Sequence, residues 1–576
     1  KLGTIFFNPG GAGGSGFEAI AGSGQGFSQG FQGALDIVSW DPRGVGHTFP
    51  GAVTCFNSSE EDAEFWKRTV ASYINETISG RFDKRDLEEL YSQVNLTERK
   101  FKGFTERCQD GPVGPYVKYL GTNSTVWDLV SLGDVIVGKG EPIDYWGVSY
   151  GTVLGFNFVN TGHVILDGVV DPTGWVSFKT YSGLTDACAK AGRAGCKFIE
   201  FTGDDASGHD VKALLNYAHD VTLELYRDGV EVPVDPGFLK DSLYYLLYSP
   251  NMWSDYVNSY LYQSVAFALQ ASQVHNVTID GGAKHNIPSG EFTIDKSLSE
   301  TGATSSQNLT SYTIAAIVGA DGFNDNNTTI RDVFDIIVNI TREVTPTFGT
   351  VWNLGYASYG WPIRSVERLP SFNPKQLKNP VLAIGNTVLR KKTANILGDN
   401  AFLLEQLGFG HTSIAQVSSC TLSVMTNYFK DSTLPKGRSI QCPVDDTNLF
   451  PVPSRNTAIT RRLNLLQKRL PGTHPSRPAA WGAHNRVKVI PTPLRVNAAQ
   501  LPLEKSLEVV DVRIANPSTF EHGTNLRDWR KTVAEVYSDF VAKLPDAGPT
   551  ILTPRARRHQ LDGVTQPPGL GLEARV

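Results

Sequence analysis

The chain has 576 residues, 40% of them apolar and 19% charged, with a formal net charge of −5. This is an ordinary globular profile that gives no electrostatic reason to expect nucleic acid as a partner, and no apolar run reaches the roughly 18 residues of a membrane-spanning helix. The length suggests three or four domains, or an α/β domain enlarged by an insertion. The first residue is Lys1 and no signal-like apolar segment follows, so a leader removed or an amino-terminal part missing is expected.

Residues 4–8 (Thr-Ile-Phe-Phe-Asn) read as a short buried strand, followed by Pro9-Gly10-Gly11-Ala12-Gly13-Gly14-Ser15-Gly16. A phosphate cradle would require a lysine that this loop lacks. A dinucleotide fingerprint matches Gly11–Gly16 in spacing only, and the next segment is glycine-rich rather than clearly helical. The better reading is an oxyanion loop, in which missing side chains let backbone N–H groups point at a substrate oxygen. A second strand at 35–41 ends in Pro42-Arg43-Gly44-Val45-Gly46. Residues 50–130 are polar, with an amphipathic stretch at 84–93, and read as a helical insertion that returns at Val126-Trp127-Asp128-Leu129.

Next comes Ile143–Gly155, with Gly147-Val148-Ser149-Tyr150-Gly151 at its centre. An apolar run before Ser149 and helix-compatible residues 152–158 after it place the serine on a sharp strand-to-helix turn, a nucleophile elbow. The glycines relieve collisions that side chains there would make with strand and helix. The pentapeptide alone is weak evidence in a glycine-rich chain. Its combination with the glycine loop and the Asp-x-Arg-Gly turn is far more specific.

With these motifs, and the later Leu-Asp-Gly-Val-Val-Asp-Pro at 166–172, the sequence resembles the tripeptidyl-aminopeptidase-like and prolyl-aminopeptidase-like serine peptidases. The resemblance covers about residues 1–445 and implies an α/β-hydrolase fold: a mostly parallel, doubly wound sheet with a helical cap. The corresponding domain reading is core at 1–174, cap at 175–375 and core again at 376–445. A basic, proline-rich linker at 446–503 and an extension of unknown role at 504–576 follow. Residues 447–502 hold nine Lys/Arg and no Asp/Glu, which reads as a solvated linker. A strand at 507–515 and an amphipathic helix at 525–544 are expected in the extension.

Residues 163–168 read as another buried strand. The link before it, Val159-Asn160-Thr161-Gly162, is shorter than in the family. Helical spacing recurs at 211–226 and 239–247, and 252–269 is rich in Tyr and Trp. An aromatic cap could line a substrate pocket, but such stripes are more often plain core. The resemblance also implies cysteines near 316–321 and before Trp361-Pro362, where this chain has Gly319 and Ser358. Strands at 380–386 and 401–406 come next, and Gly408-Phe409-Gly410-His411 follows directly. A histidine on a glycine-flanked loop after a strand is where this fold puts its general base. A helix at 414–429 packs back.

Six cysteines fall into neighbouring pairs, Cys55 with Cys108, Cys188 with Cys196 and Cys420 with Cys442. They fit no zinc spacing and are expected as three disulfides. Nine N-x-S/T sequons, at Asn57, Asn75, Asn95, Asn123, Asn276, Asn308, Asn326, Asn327 and Asn339, suggest a secreted glycoprotein. No metal or cofactor is expected.

In the expected chemistry Ser149 is the nucleophile and His411 its base. The N–H groups of Tyr150 and of Gly11 or Ala12 form the oxyanion hole. The family's acid should follow the strand at 380–386, but Gly385-Asn386-Thr387 runs into Val388-Leu389-Arg390-Lys391-Lys392 with no acid before Asp399, at the wrong end of the next strand. Asp167 and Asp171 flank the turn after the preceding strand, and Asp171 is the substitute acid. Glu367 is the guess for a carboxylate that receives a peptide amino group. The resemblance implies a secreted exopeptidase acting on free amino termini. An esterase or lipase on the same machinery, or a binding protein that has lost the acid, are the alternatives.

Overall fold

In the computed structural model of the chain, the described residues are 2–67, 69, 82–158, 162–168, 178–230, 232, 236–277, 279, 311–322, 328–351, 359–367, 377–386 and 397–452. The strand and helix expected beyond residue 504, the candidate acid Asp171, Ser358 and the short segments after Val159 and Val388 lie outside them.

Seven strands form one parallel sheet among the described residues: β1 (Gly3–Asn8), β2 (Leu35–Ser39), β3 (Asp144–Val148), β4 (Val164–Asp167), β5 (Val381–Gly385), β6 (Ala401–Leu407) and β7 (Ser439–Pro443). Their order is β2-β1-β3-β4-β5-β6-β7. A parallel sheet covered on both faces needs apolar residues at consecutive positions, as in Ile5-Phe6-Phe7 and Val164-Ile165-Leu166, all essentially buried. With every strand parallel, all carboxyl ends open on one edge, where this architecture collects its functional loops.

The helices Gly16–Gly30 and Ser419–Asp431 share one core with the sheet: Ile20, Phe31, Trp146, Val424 and Phe429 lie in the same buried cluster. Residues after the glycine loop are thus helical, contrary to the sequence expectation. Ser15 caps that helix by accepting from Glu18 N–H, and Gly16 lies so close to the Trp40 carbonyl that a Cβ would sit 2.1 Å from it. Glycine here serves close packing. The helix expected from residue 414 begins later, at Ser419 with Ser418 as its cap, after a 3-10 turn at Ser413–Ala415. The elbow helix Gly151–Asn157 packs with Gly155 against Leu166 and Tyr145.

Two helical segments interrupt the sheet, one between β2 and β3 and a longer one between β4 and β5. They interleave. The helices from Phe178 to Val274 build a core around Trp253, Leu214 and Phe348, whereas Thr313–Asp321 and Ile330–Asn339 pack with Trp66, Phe101 and Phe104 of the first segment. Arg227 and Asp86, both almost fully buried, pair at 2.7 Å between helices Gly208–Arg227 and Lys84–Ser92. Gly319 is wedged against Trp361, so a Cβ there would lie 2.4 Å from the indole. In this packing the position has no room for a side chain. The three cysteine pairs are disulfides as expected. Residues 130–141 belong to a second unit. Within that unit Gly140 N–H donates to Asp134 Oδ1 at 3.1 Å. Among the described residues no helix is long and apolar enough to cross a membrane.

Candidate active site

Ser149 follows β3 directly and precedes the helix Gly151–Asn157. Its φ is +55°, a left-handed conformation that costs a non-glycine residue on the order of 1 kcal/mol and persists only where the surroundings impose it. Here they do. A Cβ on Gly147 would lie 2.3 Å from the Gly151 carbonyl, and one on Gly151 would lie 2.9 Å from the Asn8 carbonyl. The Ser149 N–H donates to the Asp167 carbonyl at 2.9 Å, so the turn is tied to β4 as well as β3.

The glycine loop leaves β1 and runs over this turn. A Cβ on Gly10 would meet the Val148 carbonyl at 2.4 Å, Ser149 Cβ at 2.9 Å and the Tyr150 nitrogen at 3.1 Å. Gly10, Gly11 and Gly13 all have positive φ. The Gly10 N–H donates to Asn8 Oδ1 and the Gly14 N–H to the Gly10 carbonyl, which fixes both ends of the loop and brings its backbone beside that of Tyr150. Past the loop, Asp41 at the end of β2 accepts from Ser15 Oγ at 2.6 Å and from the Phe17 and His47 N–H groups at 3.0 Å. Arg43 donates through Nε and Nη2 to Asp128 at 2.9 Å. The Asp-x-Arg-Gly string is therefore scaffolding that anchors the loop.

His411 sits on the loop after β6 and is held from three sides. Asn386 Nδ2, at the end of β5, donates to the Phe409 carbonyl at 3.2 Å and the Thr412 carbonyl at 2.6 Å. Asp167 accepts from the Ser413 N–H and hydroxyl. From the helical segment above, the Tyr248 carbonyl accepts from the His411 N–H at 3.4 Å, and the Tyr248 ring meets the imidazole edge-on with centroids 5.1 Å apart. Burial pushes the imidazole down to about 4, because an imidazolium loses hydration there, so the ring is neutral across the neutral pH range.

Asp399 lies in the turn that enters β6, at the opposite end of the strand from the histidine loop, and pairs with Arg438. It is removed from the site, as its place in the sequence indicates. Glu367 accepts through its backbone carbonyl from Asn123 Nδ2 and Ser365 Oγ, and its Oε2 is buried with no hydrogen-bond partner among the described residues. Thr122 Oγ1 donates to Asp321 and lies 2.5 Å from Tyr150 OH. Asp41, Asn386 and Asp167 are structural members of the site that sequence reasoning gave no role. Their common signal is a polar residue terminating an apolar strand at the carboxyl edge. Among the described residues no group of His, Cys, Asp and Glu is arranged to hold a metal.

No family model matches the chain. It is similar to serine protease Hip1 of Mycobacterium tuberculosis, 29% identical over 215 residues that cover 34% of this chain and 36% of that protein. It is also similar to the tripeptidyl aminopeptidases of Streptomyces coelicolor and Streptomyces lividans, 34% and 33% identical over 182 residues, 30% of this chain and 29% of each. The chain thus spans about a third of the length of these curated relatives. These similarities agree with the resemblance carried by the motifs.

Proposed function

We propose that this α/β-hydrolase is a secreted serine peptidase that releases residues or short peptides from free amino termini through an acyl-enzyme. The observation that carries the reading is Ser149 at φ +55°, on a strand-to-helix turn against which the Gly10 backbone is packed. In this mechanism neutral His411 takes the Ser149 hydroxyl proton as Oγ bonds to the scissile carbonyl carbon. The N–H groups of Tyr150 and of Gly11 or Ala12 hold the oxyanion, each worth roughly 3 kcal/mol in the transition state. Collapse expels the amine, which takes the proton from His411, and a water molecule then releases the acyl group by the same route. No cofactor is required.

Asp171 is the proposed acid. Losing a triad acid costs on the order of 10⁴ in turnover, and Asp171→Asn is expected to show that loss. Unchanged turnover would remove Asp171 from the mechanism. Exopeptidase action is supported by the names of the Streptomyces relatives. It is also supported by the buried Glu367 Oε2, which has no hydrogen-bond partner among the described residues and which a substrate ammonium would satisfy. The helical segment between β4 and β5 is assigned the part of a cap. Three disulfides support an oxidising compartment outside the cytosol.

The experiment compares tripeptidyl and aminoacyl amides with their amino-blocked counterparts and with short esters. Preference for free amino termini is expected, reduced at least about tenfold in Glu367→Gln through a raised KM. Equal cleavage of blocked and free peptides would defeat the exopeptidase reading, and cleavage of esters alone would replace it with an esterase.

A further inference from the structure

We infer that Asp167 is a positioning residue for this site: from the end of β4 it ties the loop bearing His411 to the backbone bearing Ser149. The inference rests on the roles proposed above for those two residues. Its backbone carbonyl accepts from the Ser149 N–H at 2.9 Å. Its carboxylate accepts from the Ser413 N–H at 2.8 Å, from the Ser413 hydroxyl, and from Trp146 Nε1 at 3.3 Å. One residue with 0% exposure therefore touches the elbow, the strand before it and the segment two residues past the histidine.

The surroundings are shaped for this contact. Gly168, next to Asp167, has φ +65°, and a Cβ there would lie 2.5 Å from Thr412 Cγ2. Thr412 itself is held at φ +76°, a strained conformation that needs support from both sides. Asn386 supplies one side through the Thr412 carbonyl, and Asp167 supplies the other through Ser413. Only an acceptor without protons of its own can receive all three donors at once. An asparagine offers one oxygen and brings two N–H groups. Burial pushes the carboxyl up to about 6 against the lowering effect of the Ser413 bonds, so the charge at neutral pH persists against a desolvation cost. The carboxylate bonds to Ser413 and Trp146, so its role is to place the histidine loop rather than to act on the ring.

The test uses Asp167→Asn, Ser413→Ala and the double variant of the whole chain, beside wild type and Ser149→Ala, on an unblocked tripeptidyl amide. Each single variant is expected to lose about 10- to 100-fold in kcat with KM within about twofold, and the double variant no more than the worse single one. Losses that multiply in the double variant, or a change in KM alone, would overturn the proposal. Ser413→Ala deletes one hydroxyl and keeps the test open if Asp167→Asn does not fold. Hydrogen exchange is read in parallel: the Ser413 amide is expected to exchange about tenfold faster in Asp167→Asn, since bonds to a charged acceptor are roughly twice as strong as neutral ones. Unchanged exchange would also overturn the proposal. Wild-type protein as inactive as Ser149→Ala defeats the hydrolase reading instead, and exchange then decides whether Asp167 holds the loop.

Discussion

At the scale of single residues, two buried titratable groups at one sheet edge act on pH dependence with opposite signs. His411, lowered to about 4, stays neutral in the fold where the unfolded chain takes up a proton. It therefore favours folding above pH 6.5 and loses that contribution as pH falls toward 4. Asp167, raised to about 6, retains its proton in the fold between pH 4 and 6, so its contribution is greatest at acid pH and declines by up to about 3 kcal/mol as pH rises through that window. In wild type the two trends offset each other. In Asp167→Asn the histidine acts alone, and denaturant melts at pH 4, 5 and 6 are expected to show stability rising more steeply with pH than in wild type. Parallel curves would contradict the assignment. If His411 is the proposed base, burial alone places the acid limb of kcat/KM below pH 6.5, because the base must be neutral. A limb at 6.5 or above would mean that a carboxylate, as proposed for Asp171, bonds the ring and offsets its desolvation.

At the scale of elements, the contacts between insertions give a sharper handle than the sheet. The Arg227–Asp86 pair, at 5% and 0% side-chain exposure, joins the two helical segments. Arg227→Met removes the cation paired directly with this buried carboxylate and is expected to cost about 3–5 kcal/mol, measured as a fall in denaturation midpoint. A loss under about 1 kcal/mol would indicate that water reaches Asp86. Local structure also sorts the sequons. Asn123 donates from its side chain to the Glu367 carbonyl, and Ser124 and Thr125 are buried, whereas Asn57 and Asn276 are exposed. Peptide mapping after expression in a glycosylating secretory host is expected to find glycan at Asn57 and Asn276 and none at Asn123. Glycan on Asn123 in folded protein would contradict the helix packing there. The inner strands were legible because a parallel sheet buried on both faces writes unbroken apolar runs. The edge strand β7 was not: of Ser-Ile-Gln-Cys-Pro only Cys442 is buried. The helix after the glycine loop was hidden because its glycines look like breakers, whereas Gly16 at its start is needed where the chain packs on Trp40.

At the scale of the whole molecule, the sequence reveals that two helical insertions exist but not that they interleave. Periodicity marks which face of a helix is buried and is silent on its partner. Tyr312, far from Trp66 in the chain, takes its Nε1–H at 3.0 Å, and nothing local announces it. The local geometry of the candidate site was legible where strain left a motif, at the turn of Ser149 and the glycine loop, and in the loop after β6 that carries the glycine-flanked His411. It was not legible where a role depends on contact between distant strands, as for Asp167 with Ser413. The Cys55–Cys108 bridge spans 53 residues of the first insertion, and replacing both cysteines with alanine is expected to cost about 4 kcal/mol, read as a lowered melting temperature. The most direct test of the central claim is covalent labelling with a fluorophosphonate probe, read by peptide mass mapping of wild type and Ser149→Ala. The expected result is one adduct, on Ser149, absent from the folded alanine variant. An unlabelled wild-type protein, or an adduct on another residue, would contradict it.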